Sequence, residues 1–155
     1  MAVATGGAHH QEIQMRKTLF ALAIGLATVP MLASAQQSPV GKWKTLDDET
    51  GKAMTVVEVY QAKNGTLAAK IVENIAAPAT CTKCSGKDKG KSIIGMNVLW
   101  NLKNKGGTWS DGNGLKPSTG DTFRAKTVKV VDGGKKLEIT GCKAIFCRTA
   151  TWVRN

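Results

Sequence analysis

The stretch MTVVEVYQAKNGTLAAKIVE, Met54 to Glu73, decides the fold class. Its first run, MTVVEVYQ, is rich in β-branched residues, and its last, TLAAKIVE, has the same strand-forming character. Between them stands Asn64-Gly65, a dipeptide that tolerates the backbone angles a tight turn needs. Two such runs joined by Asn-Gly predict a β-hairpin.

The pattern continues on both sides. KWKTL, after Gly41, places Trp43 and Thr45 on one face and Lys42 and Lys44 on the other, a period of two. Downstream come SIIGMNVLWNL from Ser92, GTWSDGNGL from Gly107, DTFRAKTVKVV from Asp121, KKLEITGCK from Lys135 and FCRTATWVR from Phe146. Turn-forming residues separate them, among them Pro117-Ser118-Thr119-Gly120 and Asp132-Gly133-Gly134. About eight strands result, with no amphipathic helix between them, and the expectation is a small antiparallel β-barrel. At that strand number the interior is either filled by side chains or wide enough for one small ligand. The glycine-rich segment Gly112 to Gly120 is not a phosphate loop, because no helix signal follows it.

The N-terminal part reads differently. From Met15, MRKTLFALAIGLATVPMLASAQQ has the positive end, apolar run and small-residue cleavage site of a secretory signal peptide. The apolar run is short for a membrane span and contains Pro30. Residues 15–35 are therefore expected to be removed, and residues 1–14 are an upstream extension expected to carry no structure of the mature protein. The mature domain is expected to be residues 36–155, a soluble periplasmic or secreted protein without a transmembrane segment.

Composition then narrows the function. Removing Arg16, Lys17 and Glu12 from the chain's 22 basic and 11 acidic residues leaves 20 and 10, a net charge of +10. The excess is mostly lysine, and nucleic-acid surfaces usually add arginine and stacking aromatics, so no nucleic-acid partner is expected. Both histidines, His9 and His10, precede the cleavage site. Without them the mature domain has no Ser-His or Cys-His pair and no imidazole ligand, and neither an enzyme, a metal site nor a cofactor is expected. Asp47, Asp48 and Glu49 read as a solvated turn rather than as a catalytic cluster.

Candidate ligand contacts come from the indoles and one arginine. Trp43, Trp100 and Trp109 are candidates to line the barrel. On the last strand Phe146, Arg148, Ala150 and Trp152 share a face, so Arg148 falls on a largely apolar stripe. An indole such as Trp43 would serve as its cation–π partner, closing one end of the barrel.

The sequence also resembles the bacterial exported family catalogued as domain of unknown function 2147. GKWKTLDDETGK, VVEV, CTKC, IIGMNVLWNL, TWSDGNGLKPSTGDTFRAK, LEITGC and CRTATW carry the likeness, in order, across nearly the whole mature chain. The resemblance implies a lipocalin-like barrel in a bacterial periplasm and no established reaction. Gly41-x-Trp43 with the late Arg148 is also similar to lipocalins, where such a pair seals the barrel base. One departure is Asp111, an acidic residue beside Trp109 in the glycine-rich segment.

Four cysteines remain. In an oxidising compartment they read first as disulfides, and the local pairing Cys81–Cys84 with Cys142–Cys147 is preferred because each pair brackets a short turn-like segment. A four-cysteine zinc site and a Cys-x-x-Cys redox dithiol are the rivals. The lysines around the first pair, Lys83, Lys87, Lys89 and Lys91, form a basic loop that is a candidate surface for an anionic envelope component. The leading functional expectation is binding of a small hydrophobic or amphipathic, lipid-like ligand inside the barrel.

Overall fold

A computed structural model of the chain describes residues 37–155. The signal-peptide reading at residues 15–35 and the upstream extension at 1–14 lie outside the described residues.

The hairpin that decided the fold class forms where expected. Strand β2 (Ala53–Gln61) turns into β3 (Leu67–Asn74), with Gln61 paired to Leu67. The connection turns at Gly65, whose φ of 81° lies in the left-handed region that glycine adopts without strain. The Asn64 side chain accepts hydrogen bonds from the backbone N–H and the hydroxyl of Thr66. Those bonds fix the turn and with it the register of both strands.

Seven further strands complete the sheet: β1 (Gly41–Leu46), β4 (Asn97–Lys105), β5 (Thr108–Ser110), β6 (Gly112–Lys116), β7 (Asp121–Val131), β8 (Lys136–Lys143) and β9 (Phe146–Arg154). All pairings are antiparallel, β1 pairs with β9, and β3 pairs with β4. The sheet therefore closes on itself and leaves no free edge. Strands β5 and β6 share one place between β4 and β7, so nine strands make an eight-position barrel.

Two boundaries differ from the sequence reading, each for a local reason. GTWSDGNGL was expected to be one strand, but Asp111, at φ 59°, interrupts it and separates β5 from β6. Strand β4 starts at Asn97 rather than Ser92. Ser92 instead bridges back to Thr80, Ile93 N–H donates to Ala79, and Gly95 turns the chain at φ 82°. The first part of the run instead anchors a long β3–β4 loop through the buried Ile93.

Because the strands run up and down, the connections fall into two sets. The β1–β2, β3–β4, β6–β7 and β8–β9 connections share one end, and β2–β3, β4–β5 and β7–β8 share the other. A continuous core of buried apolar side chains, including Trp43, Val59, Leu67, Leu102, Trp109, Val128 and Leu137, fills the barrel toward that second end. Among the described residues no helix is long and apolar enough to cross a membrane.

Candidate ligand cavity

The first end of the barrel is hollow. A cavity of about 1090 Å³ is lined from every strand position: Thr45 from β1, Val57 from β2, Ile71 from β3, Val98 from β4, Leu115 from β6, Phe123 from β7, Gly141 from β8 and Ala150 and Trp152 from β9. Only the barrel lumen is bordered by all eight positions. Its size is at the upper end of small-molecule sites, and its wall is mainly apolar.

Phe123 shows how the lumen stays open. It pairs with Gly114 on one side, and Gly141 lies on the strand at its other side. A Cβ on Gly114 would stand 2.1 Å from the Phe123 ring, and one on Gly141 would stand 2.5 Å from it. The ring thus lies against bare backbone on both neighbours rather than across the lumen.

The mouth carries charge, and most of it is paired. Lys116 bonds Asp48, and Lys143 bonds Asp121 at 2.5 Å. The Lys143 ammonium holds the Asp121 carboxyl below the usual carboxylate range. Asp47 is lowered too, chiefly because it accepts the Thr50 backbone N–H within its turn. This matches its reading as part of a turn, although Asp47 also borders the cavity. Arg148 reaches the cavity from β9, is exposed, and has no ion pair or hydrogen bond among the described residues. An arginine with its full fork of donors free at an apolar mouth is equipped to take an anionic group.

The opposite end is closed by a different arginine from the one expected. Arg154, not Arg148, lies over Trp43, with its guanidinium carbon 3.9 Å from the ring centroid. Period two explains the substitution: Arg154 continues the face of Arg148 and Trp152 to the far end of β9, where it pairs with Trp43 across the β1–β9 seam. Arg154 Nε donates to the Gly134 carbonyl at 2.8 Å and Nη2 to the Ser38 carbonyl at 3.2 Å. Trp43 is fully buried and its indole N–H donates to the Pro39 carbonyl at 2.8 Å. Gly41 sits beside them at φ 134°, where a Cβ would come 3.0 Å from Arg154 Nη1. The Gly-x-Trp motif thus leaves room for the guanidinium.

The three nominated indoles are therefore not the cavity wall. Trp43 and Trp109 are buried in the core, and Trp100 packs against that core while bordering a separate depression with Lys87 and Lys91. Trp152 is the tryptophan that borders the cavity. Its signal was its place on the Arg148 face, which the alternation of β9 contained. Asp111 turns outward and bonds Lys105 at 2.5 Å, so it makes no polar corner with Trp109.

The cysteines pair locally, Cys81 with Cys84 and Cys142 with Cys147. Both Cys81 and Cys84 are buried, and Cys81 Sγ lies 3.3 Å from the Pro117 carbonyl. Gly120, at φ 74°, is pressed so closely beneath this loop that a Cβ there would stand 2.0 Å from the Lys83 carbonyl. The first disulfide thus knots the long β3–β4 loop where it rests on the β6–β7 turn. Lys83, Lys87, Lys89 and Lys91 are all exposed on that loop.

Comparisons with known proteins agree with this architecture. The solved structure of protein HP1028 from Helicobacter pylori, described as belonging to the lipocalin family, matches with a TM-score of 0.64 at 21% identity, over 76% of this chain and 83% of that one. No curated protein matches the chain. The model of a family described as uncharacterized proteins conserved in bacteria, DUF2147, matches residues 41–154. The chain has a lipocalin-like barrel and belongs to the DUF2147 family.

Proposed function

We propose that this protein is an exported carrier that takes one small amphipathic molecule into its barrel. The single observation that carries the reading is the cavity of about 1090 Å³, apolar in its wall and set at the end of the barrel opposite the Arg154–Trp43 pair. The unpaired Arg148 at its mouth narrows the ligand to one with an anionic head, the tail lying against Val57, Ile71 and Trp152. Export rests on the signal-peptide pattern of residues 15–35, and with it the periplasmic or secreted location.

Titration with a fluorescent long-chain carboxylate and with the matching alcohol tests the reading. The carboxylate is expected to bind one per barrel, quenching Trp152. The Arg148→Glu variant is expected to weaken it by at least about tenfold, the worth of one charge-assisted hydrogen bond. The alcohol is expected to be indifferent to the substitution. No binding of either compound to the folded protein would remove the proposal.

A second reading is supported by the four exposed lysines of the β3–β4 loop, which fit an anionic envelope component bound outside the barrel. Changing all four to glutamate would abolish that binding while leaving the fold intact. Undiminished binding by that variant would eliminate this reading.

A further inference from the structure

Two of the most exposed large apolar side chains sit side by side at one apex. Ile145 is 86% exposed and Phe146 is 76% exposed, at the β8–β9 connection. Lys143 pairs with Phe146, so Ala144 and Ile145 alone form the loop, with Ala144 at φ 52°. Directly below, the Cys142–Cys147 disulfide crosslinks paired residues of the two strands. The tip is thus held in one shape, and little conformational freedom remains to be lost when it meets a partner.

Its surroundings point the same way. Among the described residues the other large exposed apolar side chains are Val40, at the closed end, and Ile75 and Ile94, both in the β3–β4 connection at the open end. The open end also carries the unpaired Arg148, two residues beyond Phe146, and the exposed lysines of the β3–β4 loop. Among the described residues Asp47, Glu49, Glu73 and Asp88 are the acidic residues at this end without an ion pair, against Lys83, Lys87, Lys89, Lys91 and Arg148, so cations outnumber them at the end that carries the apolar tip.

We propose that the Ile145–Phe146 tip is a membrane-docking element that seats the barrel mouth on an anionic bilayer. Shallow insertion of a few apolar side chains, reinforced by cations at the headgroups, is how a peripheral surface holds a bilayer. A protein partner fits less well. A stable protein interface takes about 800 Å² from each side, whereas Ile145 and Phe146 together offer a few hundred. The tip also borders the cavity through Phe146, so a docked barrel would present its mouth to the lipid surface.

Co-sedimentation of the purified protein with vesicles tests this independently of the cavity reading. Vesicles of phosphatidylglycerol with phosphatidylethanolamine are compared with vesicles of phosphatidylcholine alone. The unaltered protein is expected to partition onto the anionic vesicles, and the Ile145→Ser/Phe146→Ser variant to do so at least about tenfold more weakly, with Ile145→Ser alone in between. The I145W variant is expected to be quenched by brominated acyl chains. Ile145→Ser is expected to keep its binding of the soluble carboxylate, which separates loss of docking from loss of the cavity. Equal partitioning of the unaltered protein and the double variant, or no partitioning at all, would overturn the proposal. So would a tip buried in a protein dimer in the absence of lipid, detected by sedimentation equilibrium.

Discussion

Arg154 and Trp43 meet at the end of the barrel away from the cavity, the guanidinium carbon 3.9 Å from the indole centroid. Through Gly134 and Ser38, Arg154 ties the β7–β8 connection and the segment before β1 to the last strand. Cation–π contact contributes about 0.5–2 kcal/mol and each hydrogen bond about 1 kcal/mol. Arg154→Ala is therefore expected to cost about 2 kcal/mol in a urea titration. Arg148→Ala, by contrast, removes no side-chain hydrogen bond or ion pair and is expected to stay within about 0.5 kcal/mol of the parent. Equal losses for the two would contradict the assignment of the closing pair.

Why the sequence pointed to the wrong arginine is instructive. The alternation on β9 identified the inward face correctly, since Phe146, Arg148, Ala150 and Trp152 all border the cavity. What alternation does not supply is height along the barrel axis. That depends on the β1–β9 register, in which Trp43 faces Arg154. The strand count, the hairpin at Asn64-Gly65 and the local cysteine pairs were legible because each depends on neighbours in sequence. The hollow was not, because it arises where Phe123 meets Gly114 and Gly141 from two other strands.

Those glycines yield the next expectation. Gly141→Ala places a methyl group where the Phe123 ring now lies, so the ring must swing toward the lumen. The oxidised, folded variant is expected to bind the fluorescent carboxylate several-fold more weakly. A crystal structure of the variant with Phe123 unmoved and affinity unchanged would refute this account of the wall.

The two disulfides close short loops, three and five residues apart in sequence. Loop-closure entropy for such spans predicts about 2 kcal/mol from each. Serine replacement of Cys142 and Cys147 is expected to lower the urea midpoint accordingly, while the circular dichroism of the barrel stays unchanged. No shift in the midpoint would mean that the tip has no need of its crosslink.

Acid should act at the mouth. Asp121 has its folded pKa lowered, first by the Lys143 hydrogen bond, from an ordinary value of 3.8. Its contribution to stability is thus full above that value and is lost as pH falls through the lower folded one. With no histidine in residues 36–155, stability is expected to be flat from about pH 5 to 8. Denaturation midpoints across pH check both parts. In the Asp121→Asn variant the fall below about pH 4 is expected to be shallower.

The central claim is an open cavity occupied by an amphipathic molecule, and native mass spectrometry addresses it most directly. The protein would be exported to a bacterial periplasm and purified without reductant or detergent. The account predicts a chain beginning near Gln36, lighter by one hydrogen for each of its four cysteines, with a single lipid-sized adduct that Arg148→Glu diminishes. The same oxidised mass with nothing bound, and no uptake of added long-chain carboxylate, would contradict it.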